Sequence, residues 1–382
     1  CVGAQTSSSA STPALNATYN NLAADVYRAL IAVVPGSGSV YGVAMYNSTV
    51  YAWRNNAGGT ACVMHVKSAS GWAAVTMYNE ISFTAGLGVA TIIDGGTLTQ
   101  GGVTATIQRV VVQSGSINSG TAAGRLIITN PAGGNFAGGA ATVGAGTLTL
   151  TAIQTAITFS PATRQYEFDI RNFGGGAGVG SKRLYGCDGV NRGFEFDGTT
   201  LVPIVTGMTA DTPSHVKVHR NHLFFSFSGS VQHSAIGNPY IWSVVSGAGE
   251  LACGDTITGM LEMPGTATSG AMAIYARNRT MVLYGNSAAD WNLVPYSEEA
   301  GAIAYTMQYI TQGVVLDDKG ITLLSTTQNY GNFADAVVSS KIKPSMNDLA
   351  NTAIGSCIVR QKNQYRVFFT GGDALYMTFK DM

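Results

Sequence analysis

From residue 40 onward the chain repeats one short pattern: an apolar strand, a polar turn, and a return strand rich in aromatics. The first copy runs from Val40 to Ala44, turns at Tyr46-Asn47-Ser48 and returns from Thr49 to Trp53. The second pairs Arg183 to Gly186 with Phe194-Glu195-Phe196 around Asp188-Gly189, and the third pairs Val216 to Val218 with Leu223 to Phe227 around Arg220-Asn221. Three more follow: Met272 to Tyr275 with Met281 to Tyr284, Gly313 to Leu316 with Ile321 to Leu324, and Cys357 to Val359 with Tyr365 to Phe369. The turn centres near 188, 221, 278, 318 and 363 lie 33, 57, 40 and 45 residues apart. Propeller blades recur every ~40–50 residues. The expectation is an all-β chain, a β-propeller-like platform of short antiparallel blades, with a β-sandwich of irregular strands as the alternative. Phe224, Tyr284 and Phe368 are expected in the inter-strand core. Trp72, Trp242 and Trp291, each following a hairpin, are placed on outer strands that cover the face between blades.

Composition agrees with many strands and tight turns. Glycine supplies 48 of 382 residues and only 11% are charged, against the usual ~7% and ~25%. Residues 85–160 depart further, with three charged groups (Asp94, Arg109, Arg125) and no aromatic between Phe83 and Phe136. Runs such as Ala105-Thr106-Ile107 and Leu126-Ile127-Ile128 make this stretch a small glycine-rich β-sandwich or barrel inserted into the propeller. The expected domains are therefore 1–39, an arm and a short helix over 21–34; 40–84, the first blade region; 85–160, the insert; and 161–382, the remaining blades. The helix rests on Leu22, Val26, Leu30 and Val33 at helical spacing ahead of Pro35-Gly36.

Lys plus Arg equals Asp plus Glu at 21 each. That leaves no basic field to grip nucleic acid through its phosphates and argues against a tight, sequence-specific DNA binder. Cys1, Cys62, Cys187, Cys253 and Cys357 are scattered singly without a CxxC pair, so they are read as reduced thiols buried in strands, from folding in a reducing cytoplasm. No apolar run reaches the ~18 residues of a membrane helix. The chain opens on Cys rather than Met, without a charged and then apolar leader, which reads as a processed or partial product. The sequons at Asn16, Asn47 and Asn278 are accordingly not expected to carry glycans.

Three motifs invite a chemical reading. Gly174 to Lys182 has glycines at phosphate-loop spacing, but Ser181 precedes Lys182 and a strand follows, so it is read as an inter-blade loop. His215, His219, His222 and His233 fall close together, yet no Cys or carboxylate stands near them in sequence, and they are read as half-exposed strand histidines rather than a metal site. Glu195 and Asp197, with Asp188 nearby, resemble a glycosidase carboxylate pair but equally suit a strand running into an Asp197-Gly198 turn. No catalytic, cofactor-binding or metal-ligating residue is assigned, and no enzymatic activity is expected.

From residue 183 onward the sequence resembles the propeller of the tail nozzle proteins of short-tailed bacteriophages, also called tail tubular or DNA-stabilisation proteins. Arg220-Asn221-His222-Leu223-Phe224 leading to Asn238-Pro239-Tyr240-Ile241-Trp242 carries the resemblance. So do Asp255 to Gly259, Leu283 to Asn286 before Asp290-Trp291, and Gly313 to Leu316 before Gly320-Ile321. The resemblance implies a homohexameric ring below the phage adaptor and portal, assembled in the host cytoplasm and carried in the virion. Such a ring retains genomic double-stranded DNA, touching it transiently and nonspecifically, and passes it at infection. The glycine-rich insert and a short last blade at Ala374 to Met382 depart from that pattern. A carbohydrate- or receptor-binding propeller adhesin is the competing function, since seventeen tyrosines suit sugar stacking as well as protein interfaces.

Overall fold

The computed structural model describes residues 22, 26, 32–85, 92–173, 182–263, 271–310, 312–324 and 337–379. The chain is all-β, arranged as blade-like antiparallel sheets of the propeller kind with an inserted small β domain. It divides into two units, Cys1–Val75 with Phe159–Ala162, and Thr76–Thr158 with Thr163–Met382.

The first unit is one meander of β1 (Ser37–Tyr46), β2 (Thr49–Asn55), β3 (Cys62–Ser68) and β4 (Gly71–Ala74). Asn47 and Ser48 both take positive φ, 47° and 61°, the conformation whose twist matches the flanking strands of a two-residue hairpin. Trp53 and Met64 face each other across β2 and β3, both fully buried. The Asn55 side chain accepts from Ala162 N at 2.8 Å and donates to Ala162 O at 3.0 Å, so a distant segment returns to this sheet. Of the helix expected over 21–34, Leu22 and Val26 are helical and exposed, and most of the rest lies outside the described residues.

The second unit holds five further meanders, each built of consecutive strands. They are β12 (Glu167–Arg171) to β15 (Leu201–Pro203), with β13 at Arg183–Cys187 and β14 at Phe194–Phe196; β16 (Val216–His219), β17 (His222–Phe227), β18 (Ser230–His233) and β19 (Gly249–Ala252); β20 (Ile257–Met263), β21 (Ala271–Ala276), β22 (Thr280–Tyr284) and β23 (Asn292–Ser297); β24 (Gln308–Tyr309), β25 (Gly313–Asp317) and β26 (Gly320–Leu323); and β27 (Ala353–Val359), β28 (Gln364–Phe369) and β29 (Ala374–Thr378). All six hairpins read from the sequence are present, and Arg220 and Asn221 form a second positive-φ turn at 48° and 62°.

Side-chain alternation decides how these sheets stack. On β17, Leu223, Phe225 and Phe227 pack with Tyr185 and Cys187 of the preceding sheet, while Phe224 packs with Met272 and Ile274 of the next. On β21, Met272 and Ile274 face back and Ala273 and Tyr275 face forward to Val315. On β25, Val315 faces back and Val314 and Leu316 meet Tyr365, Val367 and Phe369. Each middle sheet is therefore buried on both faces, and its strands read as continuous apolar runs. Gly193 lets Phe225 approach: a Cβ there stands 2.3 Å from Phe225 Cζ.

Two of the three aromatics expected in the core do not lie there. Phe224 is fully buried, but Tyr284 and Phe368 are 42% and 37% exposed. Leu283, Tyr365, Val367 and Phe369 take the inward positions, because the register places the alternate side chains against the neighbouring sheet. Of the tryptophans, Trp72 lies on the outer strand β4, whereas Trp242 and Trp291 sit in loops beside their sheets. Trp242 stacks on Phe225 at 5.5 Å, and Trp291 tilts over Phe224 at 5.1 Å.

The insert is a closed barrel. Its strands are β5 (Asn79–Ala85), β6 (Thr97–Gln100), β7 (Val103–Ser114), β8 (Ala123–Ile128), β9 (Gly139–Val143), β10 (Gly146–Leu150) and the short β11 (Thr155–Ala156). The order β5-β8-β7-β6-β9-β10 closes because β10 also pairs with β5. Strict alternation on β10 turns Leu148 and Leu150 inward and Thr147 and Thr149 outward, and the interior is filled by Ile81, Phe83, Leu98, Ile107, Leu126 and Phe136 among others. Gly124 is required where β8 meets the irregular end of β7, since a Cβ there stands 1.9 Å from Val111 O. The barrel begins at Asn79 rather than at 85. Composition misplaced that edge because β5 still carries Glu80 and Phe83, and Phe83 faces the barrel core.

Both arginines of this charge-poor insert are anchors. Arg109 on β7 donates to Glu195 Oε1 at 3.0 Å and pairs with Asp197, reaching β14 and the turn after it. Arg125 on β8 pairs with Glu80 at 2.5 Å and donates to Pro203 O at 2.6 Å on β15, while Arg192 closes on the other Glu80 oxygen. Burial pushes the Glu80 carboxyl up, but hydrogen bonds and charge from Arg192 and Arg125 outweigh it and hold the group below its ordinary value.

Two outcomes follow for stability. Arg109→Ala, which takes one cation from buried Glu195 and its cation from Asp197, is expected to lower the unfolding free energy by about 3–5 kcal/mol in urea titration. Phe224→Ala is expected to cost about 3–5 kcal/mol, whereas Phe368→Ala stays below about 1 kcal/mol; equal losses at both positions contradict the register described.

Candidate functional site

The four clustered histidines are buried rather than half-exposed, each at 3% exposure or less. Their strands lie inside the stack of sheets, so both faces are covered. The cluster also has carboxylate neighbours that its own sequence neighbourhood lacks. His215 Nδ1 lies 2.6 Å from Glu167 Oε2, at the start of β12, and His219 Nδ1 lies 3.4 Å from Glu262 Oε1 on β20. His222 Nδ1 lies 2.6 Å from Ser234 O, His233 Nδ1 lies 3.1 Å from the same carbonyl, and Trp291 covers both rings at 4.7 and 4.1 Å. Among the described residues no three His, Cys, Asp or Glu side chains converge as a metal-binding group.

The carboxylates that resembled a glycosidase pair are held by cations and amides. Glu195, buried on β14, faces Arg109 and Arg183 and accepts from Tyr185 Oη at 3.0 Å. Asp197 caps its turn by accepting from Thr199 N and Thr200 N at 2.8 and 2.7 Å. Burial raises the Asp197 carboxyl, but these donors and Arg109 bring it below the ordinary range. Asp188 accepts from Val190 N and Asn191 N, closing its own turn. These groups tie loops and barrel to the sheet β12–β15. Of the glycine run at 174–182, residues 174–181 lie outside the described residues.

Three of the cysteines, Cys62, Cys187 and Cys253, are buried free thiols, and Cys357 is half-buried. Burial pushes the Cys187 thiol well above its ordinary value and the Cys253 thiol to about 11.

The site that the motifs did not indicate is a cavity of about 660 Å³ enclosed by the first strands of the five successive meanders. Within the second unit β12 neighbours β16, β16 neighbours β20, β20 neighbours β24, and β24 neighbours β27. A Cβ on Gly355 of β27 stands 3.5 Å from Gln165 Oε1, just ahead of β12. Near that end Tyr305 Oη donates to Gln165 O at 3.2 Å, and Gln308 Nε2 donates to Ser356 O and Oγ at 3.2 and 3.1 Å. Toward the other end Arg171 of β12 pairs with Glu262 of β20, passing the intervening β16. Lys217 lies 3.8 Å from Asp169 on the same wall. Met260, Leu261 and Met307 supply the apolar part of the lining.

Consecutive meanders whose first strands enclose a shared cavity define the β-propeller class. No family model matches the sequence, and no curated protein matches it. Among solved structures it is similar to BBS1N in complex with ARL6DN, at 10% identity over 76% of this chain and 92% of that one, with a TM-score of 0.29. It is also similar to virginiamycin B lyase from Staphylococcus aureus with quinupristin, at 10% identity over 77% and 94% of the two chains, with a TM-score of 0.28.

The histidine cluster sets an acid limit. Burial, with the charges of Arg220 and Arg171 and neighbouring His222, lowers His219 to about 4; burial against only a partial offset from Ser234 O lowers His233 to about 4, and burial lowers His222 as well. These rings stay neutral in the folded chain while the unfolded chain takes up protons below about pH 6.5. Stability is therefore expected to fall as pH drops from about 6.5 to about 4, read as a declining thermal midpoint, and His233→Gln is expected to flatten that slope. An unchanged midpoint across this window contradicts the buried, neutral state of the cluster.

Proposed function

We propose that the chain is a non-catalytic structural component of a bacteriophage tail, a nozzle subunit that assembles into a homo-oligomeric ring and conducts double-stranded DNA. The observation that supports this reading most directly is where the cations stand. Arg109, Arg125, Arg171, Arg183, Arg192, Arg277 and Arg279 each pair with a carboxylate of the same chain. Cations neutralised in this way are withdrawn from a passing polyanion, whereas each cation left to face it adds a salt-dependent increment to DNA binding. The residues behind the family resemblance support it in a second way, because they have structural tasks. Arg220-Asn221 forms a hairpin turn, Trp242 stacks on Phe225, and Asp290 accepts from Ser287 N at 2.7 Å beside Trp291. In this reading the subunit sits in the virion tail against the adaptor and portal.

Negative-stain imaging of the purified chain, alone and mixed with a phage adaptor, is expected to show hollow six-fold rings. Duplex binding by the isolated chain is expected to be weak, nonspecific and lost as salt rises. A protein that stays monomeric under both conditions, or a monomer with submicromolar, sequence-selective DNA binding at physiological salt, overturns the conduit reading.

A further inference from the structure

We infer that the cavity enclosed by the first strands of the second unit is a binding site for a neutral, hydroxyl-rich ligand, a saccharide of one or two rings. The cavity, about 660 Å³, falls within the ~300–1,000 Å³ of small-molecule sites. A DNA duplex is far too wide to enter, so the site is separate from any conduit role and is present in a single chain.

Charge balance selects the ligand class. Arg171, Lys217 and Arg360 line the cavity as cations, and Glu167 and Glu262 line it as carboxylates, with Asp169 behind Lys217 as a third. Three positive groups thus stand with three negative ones, and the lining carries no net formal charge to favour an ion of either sign. Arg171 and Glu262 are already paired across the end of β16. A charged ligand has to compete with that pair, whereas hydroxyl groups can accept from the guanidinium and donate to the carboxylate without breaking it.

The opposite wall is uncharged at Tyr305, Gln308 and Ser356 and fixed in place there. Gln308 Nε2 is committed to Ser356, and Ser356 Oγ donates to Tyr305 O at 3.0 Å, so the amide is held before any ligand arrives. Among the described residues nothing donates to its Oε1, which can accept from a hydroxyl. Such preorganisation lowers the ordering cost of binding. Phe168, Tyr305 and Tyr309, all half-buried in the lining, offer aromatic surface to the C–H faces of a pyranose ring. Alternating polar edges and apolar faces is the chemistry of a sugar, not of a peptide carboxylate or a phosphate.

The test is saturation-transfer NMR and titration calorimetry on the full chain with maltose, lactose and N,N′-diacetylchitobiose, alongside glucuronate and inorganic phosphate. One equivalent of at least one neutral disaccharide is expected to bind, with an affinity that holds between about 50 and about 500 mM NaCl, where screening removes ionic contributions. Gln308→Ala is expected to weaken it about tenfold, the upper scale of one lost hydrogen bond, with cooperative thermal unfolding retained. Tyr284→Ala, exposed and outside the lining, is expected to change it little. Binding of glucuronate or phosphate in place of the neutral sugars overturns the proposal, as does sugar binding indifferent to Gln308→Ala or no sugar binding at all. Ring assembly enters none of these readouts, so their failure leaves the conduit reading standing.

Discussion

Burial on both faces of a strand is the constraint on which the second unit rests. A sheet that is solvated on one side can alternate apolar and polar residues, but a middle blade has no solvated side. β17 reads HLFFSF and every one of its residues is buried. Phe225 belongs to one inter-sheet seam and Phe224 to the other, so adjacent residues answer to different neighbours. The same division runs through β21 and β25. Polar groups admitted to such seams must find partners there, which is why His222 and His233 share the Ser234 carbonyl beneath Trp291.

The barrel is attached by a different kind of force. Its apolar residues are used inside its own closed sheet, which leaves buried ion pairs as specific ties to the sheet β12–β15. Burying charge is costly unless it is paired, and here it is: Arg109 engages three carboxylates, Asp94 of its own barrel with Glu195 and Asp197, and Glu80 takes two guanidinium groups on its two oxygens. The planar, multidentate guanidinium fixes an orientation as well as a contact, which an apolar patch of similar area does not.

Much of this architecture was legible because it is local. Turns such as Asn47-Ser48 and Arg220-Asn221 announce themselves in sequence, and hairpin register follows from them. What escaped is what depends on distant strands. The partners of His215 and His219 lie 48 and 43 residues away, so a search of nearby sequence found no carboxylate. Tyr284 and Phe368 look like core residues by type, yet each stands one position out of phase with the neighbouring sheet. The cavity was invisible for the same reason, since its lining comes from five meanders with one or a few residues from each, and none forms a motif. The one signal available was the low charge of residues 85–160, which makes Arg109 and Arg125 conspicuous as cations with a task.

The course of the chain carries a consequence for its synthesis. The Asn55 amide is completed by Ala162, 107 residues later, so the first sheet leaves the ribosome before its last partner exists. Joining ends that far apart in a slack polypeptide carries an entropic cost that grows with the length of the loop. The barrel shortens the loop. Once it has folded, Asn79 and Ala156 are paired on β5 and β11, and the two stubs that lead back to the first sheet emerge side by side. A domain that looks like an interruption in the linear order thus serves as a splint, turning a long-range encounter into a short one, and domains that fold as units in the order of their synthesis are suited to that task.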